Sequence, residues 1–561
     1  MKFPTRSALT AIAALFCATL TFTAPKVRAQ TNSRSLTIAS AKANDPIQSN
    51  KAMSSNFVLP TVPIEQFTLQ NGLRVVLSRD TAVPVVSVAV YYNTGSRNEK
   101  TGRTGFAHLF EHMMFQGSEN VPKAAHFQFI SNAGGTMNGT TSSERTNYFE
   151  TLPANQLPLA LWLESDRMRS LKVTQENLDN QRNAVQEEKR LRIDNQPFAG
   201  AFLRLDELIF KNPANAHSTI GSMEDLNAAT VEDVREFFRI YYAPNNAVLT
   251  IVGDFDPQTA RTLVEKYFAT IPRQPDPVAV DVTEPTEVAA REENYKDALA
   301  PFPVFALGWK VPARRTTDSY ALQLAGDILT GGESSRLYQK LVKQDESVLA
   351  VQGNVGERRG PSSYFILAIP KPGKDPAQIR ATILAEIKNL ATNGPTADEM
   401  EKLRNGLRND AIRTLQSSLG RARQISEYAL YDGDPKLINT EFDRYMSVTP
   451  EQIKTAVARY LDTDNRVLLN IVPPAGGGGN RLIPRGKPAA SAQPSGDPSQ
   501  PAGPAPQVPA KPATQPASPA ADKQPQTPVT PDAPRPEQPQ SPADAPKQTQ
   551  PGSTPARPGR P

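Results

Sequence analysis

Cysteine is almost missing from this chain. The one thiol in 561 residues, Cys17, lies inside an apolar N-terminal run. Met1 to Ala29 has a short basic start (Lys2, Arg6), an apolar stretch from Ala8 to Phe22, and Val27-Arg-Ala29 ahead of Gln30. That is the layout of a cleavable secretory signal, with small or aliphatic residues where a signal peptidase reads. Phe16 ahead of Cys17 fits a lipoprotein cleavage site poorly. The mature protein would then hold no cysteine, which excludes disulfides and thiolate ligands. Any metal must be held by histidine and carboxylates. Long hydrophobic runs are also missing: Ala8 to Phe22 is too short to span a bilayer comfortably. The expectation is an exported protein, periplasmic or envelope-associated, with no transmembrane span in its mature form; an uncleaved anchor is the alternative. A formal net charge of +5 over this length makes no case for nucleic acid, and no aromatic or basic cluster adds one.

Histidine is scarce too, with 4 in the chain. Two of them fall in Gly105-Phe-Ala-His-Leu-Phe-Glu-His-Met-Met-Phe115, where Phe106, Leu109, Phe110, Met113 and Met114 recur at helical spacing. His108 and His112 therefore project from one face, one turn apart. Two imidazoles so placed can hold one metal ion, and a tetrahedral zinc site with an open position needs one further protein ligand. Glu111 lies beside His112, close enough to take a proton from a water activated at the metal. The order H-x-x-E-H mirrors the common H-E-x-x-H and is itself a zinc-protease motif. At this chain's residue frequencies it is expected by chance below about 0.003 times. The competing reading is an amphipathic core helix whose histidines are satisfied by hydrogen bonds.

A second helix is predicted from Thr174, as N-cap, to Asp194. Leu178, Gln181, Val185, Glu188 and Arg192 fall on one stripe, and a carboxylate on an inward stripe is costly unless paired or bound to metal. Glu188 is thus the natural third ligand, while Glu187 is rotated about 100° away from the stripe. With Lys189, Arg190 and Arg192 nearby, a surface helix carrying ordinary ion pairs stands as the alternative.

Elsewhere, Phe67 to Leu77 reads as strand, Asn-Gly turn, strand. Val83 to Tyr92 reads as a largely buried strand, and Phe127 to Ala133 as a short helix. The second part of the stretch Gly134 to Leu152 reads as a strand, while its first part, glycine-rich and polar on both sides, is weak material for a central strand. That first part suits a sheet edge that could pair with an added peptide, or an ordinary surface turn.

These residues together resemble the M16 (pitrilysin/insulinase) family of zinc metallopeptidases, in the bacterial two-domain type similar to mitochondrial processing peptidase subunits. The resemblance extends through Gly102 to Ser118, Ile220-Gly-Ser-Met-Glu-Asp-Leu226 and Tyr241 to Asp254, and covers roughly Phe57 to Pro473. One departure is visible: where some members carry a glutamate seven residues before the ligand glutamate, this chain has Gln181. The family implies an α+β fold of two homologous domains, each a mainly antiparallel sheet with helices packed on it. It implies one Zn2+ per chain on His108, His112 and Glu188, Glu111 as catalytic base, and substrate pairing around Asn138 and Gly139. The substrate would be a peptide or unfolded polypeptide, cleaved internally. The sequence supports the repeat, since Val304 to Trp309 echoes Val86 to Tyr91 and Leu322 to Leu329 sits where the metal helix sat. That second half has no histidine.

The expected organisation is a signal peptide at 1–29, a flexible lead-in at 30–56 and a zinc-binding domain at 57–273. A linker at 274–300, a metal-free domain at 301–473 and a disordered Pro/Ala/Gln-rich tail at 474–561 follow. Such two-domain chains are half of the family's closed chamber, so a dimer is expected. In single-chain relatives the opposite half supplies an Arg and a Tyr that grip substrate. Val342 and Ala350 align there, although a shifted alignment recruits Arg336, so a heterodimer with a zinc-free M16-like chain is the expectation. The rival readings are a non-catalytic chamber or binding subunit, and a structural envelope protein working through its tail.

Overall fold

The computed structural model describes residues 57–285 and 290–474. The expected signal peptide, the lead-in and all but the first residue of the 474–561 tail lie outside the described residues.

Two sheets carry the architecture. The first has six strands: β1 (Glu65–Thr68), β2 (Arg74–Arg79), β3 (Val85–Tyr92), β4 (Thr136–Thr141), β5 (Thr146–Pro153) and β6 (Ala247–Gly253), in the order β1-β2-β6-β3-β5-β4. The second has five: β7 (Arg291–Lys296), β8 (Val304–Val311), β9 (Val348–Gly356), β10 (Ser362–Pro370) and β11 (Val467–Val472), in the order β7-β11-β8-β10-β9. Each sheet is antiparallel except for one parallel pair, β2 with β6 and β7 with β11. Without β1, the first order reproduces the second strand for strand. The echo between Val86–Tyr91 and Val304–Trp309 falls on β3 and β8, which hold equivalent places. The chain is thus an α+β protein built from one unit used twice.

The helices that matter for the site are α1 (Phe106–Met113), α2 (Leu157–Ser170), α3 (Gln175–Lys189), α4 (Ala199–Ile209), α5 (Val231–Tyr241), α6 (Thr317–Thr330) and α7 (Ser418–Tyr431). Strand side chains alternate between faces, and in β3 both faces are covered. Val86, Val88, Val90 and Tyr92 join the core under α1, α2, α3 and α5. Ala89 and Tyr91 meet Ala422, Ile425 and Ala429 of α7 on the other side. Double burial explains why β3 reads as a continuous apolar run rather than an alternating one. The cover of that second face comes from the far half of the chain, where Ser426 Oγ donates to Thr250 Oγ1 at 2.8 Å. The exchange is mutual: Ala201, Leu205 and Ile209 of α4 pack on Ala306, Leu367 and Leu469 of the second sheet. Each half therefore lends a helix to the other's sheet.

Two expectations are corrected. The stretch 274–300 holds β7, whose residues Arg-Glu-Glu-Asn-Tyr-Lys alternate between exposed and half-buried at the edge of the second sheet. Its polarity hid a strand with only one neighbour, β11. Arg192 leaves the inward stripe of the second helix, because the backbone switches to π winding over Arg190–Asp194 and rotates the register outward. Its side chain is 73% exposed and reaches back to Glu188.

Among the described residues, no helix is long and apolar enough to cross a membrane.

Candidate metal centre

Helix α1 starts at Gly105, whose φ of 87° is left-handed and whose Cβ, were there one, would sit 2.7 Å from the Ile220 carbonyl oxygen. Glycine is the residue that fits there without strain. Phe106, Leu109, Phe110 and Met113 bury one face of α1 in the core. That turns His108, Glu111 and His112 toward α3 and β4. On α3, the Thr174 hydroxyl caps the start by accepting from the Asn177 N–H at 3.2 Å. Leu178 and Val185 bury, and Glu188 arrives over the α1 histidines.

The three expected ligands converge. Their ligand atoms lie within 4.8 Å of one another. Glu188 Oε2 is 3.6 Å from His108 Nε2 and 3.2 Å from His112 Nε2, and the two rings stand nearly perpendicular, 4.9 Å apart. Two imidazole nitrogens and one carboxylate oxygen, all half-buried, form a zinc donor set with room for a fourth position. The residues present therefore fit the metal.

Burial, with His112 adjacent, lowers the His108 pKa to about 4, which favours the neutral ring a metal requires. For Glu188, burial works upward but is outweighed by the hydrogen bond to His112 and the charges of His108 and Arg192, leaving its carboxyl at about 2. His112 is raised on balance: burial lowers it, and the Glu188 hydrogen bond together with the Glu111 and Glu188 charges more than offsets that. Burial pushes the Glu111 carboxyl up, against the pull of a Thr141 hydrogen bond.

Asn138 and Gly139 lie on β4, at the open edge of the first sheet. The strand passes directly over Glu111, since a Cβ on Gly139 would come 3.3 Å from Glu111 Cγ and 3.1 Å from the Tyr148 ring. Asn138 Oδ1 accepts from the Gly139 N–H at 2.8 Å. The far end of this hairpin is anchored by Glu144, buried, which pairs with Arg97 and accepts the Arg359 N–H from the second half at 3.0 and 3.1 Å.

Sequence reasoning missed Thr141. Its hydroxyl donates to Glu111 Oε2 at 2.5 Å and fixes the carboxylate. The available signal was the two-residue strand period, which puts Thr141 on the same face as Gly139. It also missed the role of His126, which with Glu150 and Glu164 forms a second trio with ligand atoms within 4.8 Å. There the Arg167 guanidinium already pairs with Glu164 and sits 4.1 Å over the Tyr148 ring. Burial pushes Glu150 far up toward its neutral form, so this core cluster is balanced without a cation. Losing one partner of such a buried pair costs about 3–5 kcal/mol.

The zinc protease PqqE of Helicobacter pylori is 30% identical over 369 residues, covering 65% of this chain and 83% of that protein. The chain belongs to the M16 peptidase family. Residues 74–220 match "Insulinase (Peptidase family M16)", and residues 228–407 match "Peptidase M16 inactive domain". All four site residues fall in the first segment. A probable mitochondrial-processing peptidase subunit beta of Arabidopsis thaliana is 23% identical over 433 residues, 75% of this chain and 80% of that one. The crystal structure of a protease from Helicobacter pylori superposes with a TM-score of 0.71 at 26% identity, covering 74% of this chain and 100% of that one. The two-sheet M16 fold is therefore common to both molecules.

Proposed function

We propose that this chain is an exported zinc-dependent endopeptidase that hydrolyses peptides or unfolded polypeptides. The observation that carries the reading is the convergence of His108, His112 and Glu188 beside Glu111, with the open β4 edge passing above. A non-catalytic chamber subunit would have no use for this complete set. Zinc, once bound, supplies Lewis acidity that acidifies a water and polarises the scissile carbonyl. His108 and His112 would hold the metal through Nε2 and Glu188 through a carboxylate oxygen, one ion per chain. Glu111 takes the proton of the attacking water and passes it to the leaving amine. The Thr141 hydroxyl on Oε2 keeps that carboxylate aimed and leaves Oε1 for the proton. An extended peptide adds to β4 as a further strand, with Asn138 and Gly139 as its contacts. Location in the periplasm or envelope rests on the signal-like stretch Met1 to Ala29.

The chain also acts, in this reading, with a second M16-type chain. Neither Val342 nor Ala350 offers a hydrogen-bond donor from its side chain. Arg336, the other candidate, is committed to Glu399 through two bonds of 2.7 and 2.8 Å and to the Gly394 carbonyl oxygen. Donors for developing negative charge must then come from elsewhere, and a zinc-free partner is their source. The test incubates the purified chain, alone and with a zinc-free M16-like chain, with a peptide library while mass is read by light scattering. Cleavage that rises on forming a mixed dimer is expected. Full activity from the chain by itself would remove the partner, and no cleavage in either state would remove the peptidase reading.

A further inference from the structure

The motif Ile220 to Leu226 and the fourth histidine, His217, take no part in the metal centre. Both lie against the N-terminus of α1. Asp225 Oδ2 accepts from the Thr104 N–H at 2.9 Å and from its hydroxyl at 2.5 Å. Gly221 lies so close that a Cβ there would sit 2.4 Å from the Thr104 carbonyl oxygen. One turn earlier in the chain, His217 Nε2 is 3.0 Å from Glu99 Oε2, and His217 Nδ1 is 2.6 Å from the Pro213 carbonyl oxygen.

Glu99 is the link to the metal helix. Its Oε1 accepts the Ala107 N–H at 2.8 Å and its Oε2 the Gly105 N–H at 2.9 Å. Its side chain has no exposure. A carboxylate that accepts two amides at a helix N-terminus is favoured as the anion. His217 then faces an anion with one ring nitrogen and a carbonyl oxygen with the other. Both nitrogens must donate, which only the imidazolium can do.

We propose that His217 is a positioning residue: as an imidazolium it locks Glu99 onto the first turn of α1 and so fixes how His108 and His112 meet the metal. The proposal rests on the metal-centre reading. Ala107, which Glu99 holds, directly precedes His108, so a slip of that turn moves the ligand itself.

For the imidazole the electrostatics agree in sign. Burial lowers the His217 pKa, but Glu99 and the Pro213 and Ser96 carbonyl oxygens outweigh it and leave it raised. Glu99 is the carboxylate facing the ring: burial pushes its carboxyl up, while the His217 hydrogen bond and charge and the Ala107 and Gly105 amides pull it back toward the anion. The Tyr242 phenol near Glu99 is kept neutral by burial. A raised folded-state value means the lock is complete below about pH 6.5, the ordinary imidazole value, and fades as pH rises through the raised one.

The test uses the full chain, wild type and His217→Gln. Nitrogen NMR of the wild type should find both His217 ring nitrogens protonated at neutral pH. Chelator competition should find zinc held about tenfold more weakly by His217→Gln, the scale for losing a residue that orients metal ligands. That gap should narrow at alkaline pH, and KM should stay near the wild-type value. A neutral His217 ring, or equal zinc affinity in the two proteins, would overturn the proposal while leaving the metal centre intact. A wild type that binds no zinc would overturn the metal centre and this lock with it. The NMR measurement decides the case even if the variant does not fold.

Discussion

Glu111→Gln should keep its zinc and lose about 10²–10⁴-fold in kcat, the range that a positioned general base contributes. At 1.36 kcal/mol per factor of ten this is about 3–5 kcal/mol of lost barrier lowering. The geometry separates the two effects. Glu111 is not among the three converging ligands, so the amide leaves the donor set unchanged. Its one carbonyl oxygen can take the place of Oε2 and accept the Thr141 hydroxyl, so the side chain keeps its place. What it cannot do is hold a proton. Burial already pushes the carboxyl upward, toward the range in which a base both takes and returns one. Zinc content and peptide turnover measured on the same sample check the claim. Turnover near the wild-type rate would show that the base is another group.

Glu188→Gln should lose the metal, and its neighbour should not matter. Glu188 faces both histidine Nε2 atoms, and its carboxyl is held at about 2, burial being overcome by His112, His108 and Arg192. It is therefore an anion at neutral pH, and a neutral amide oxygen is a poor replacement. The expected loss of zinc affinity exceeds the 10–100-fold that follows from removing a mere supporting partner, about 100-fold or more. Glu187 is 58% exposed and pairs with Arg190 at 3.2 Å. Such a surface pair is worth about 0.2–1 kcal/mol of stability and nothing to the metal. Equilibrium dialysis of both variants settles the choice. Release of zinc from Glu187→Gln instead would mean that α3 presents the other carboxylate.

The parts of this site that were legible in sequence are those fixed by local periodicity. A helical repeat alone places His108, Glu111 and His112 on one face, and the stripe Leu178, Val185, Glu188 carries the third ligand inward. β3 was legible because burial on both sides leaves it apolar or aromatic at every position but Ser87. β7 was not, because a polar edge strand with one neighbour looks like a linker. Arg192 failed for a different reason: periodicity assumes 3.6 residues per turn, and the π segment breaks that assumption at Arg190. The exchange of α4 and α7 between the two sheets depends on contacts far apart in the chain, to which no window is sensitive. The Glu99–His217 pair is of the same kind, joined across 118 positions. Thr141 was within reach, two residues from Gly139 in a segment that suited either a sheet edge or a surface turn.

The central claim is that His108, His112 and Glu188 hold a zinc ion on which peptide hydrolysis depends. The most direct measurement strips purified wild-type protein with a chelator, returns zinc in steps, and follows metal content and peptide cleavage together. The expected result is cleavage that disappears with the metal and returns in proportion to zinc, saturating at one ion per chain. Cleavage that persists in metal-free protein, or full zinc loading with no cleavage of any peptide in the presence of a zinc-free partner chain, would contradict it.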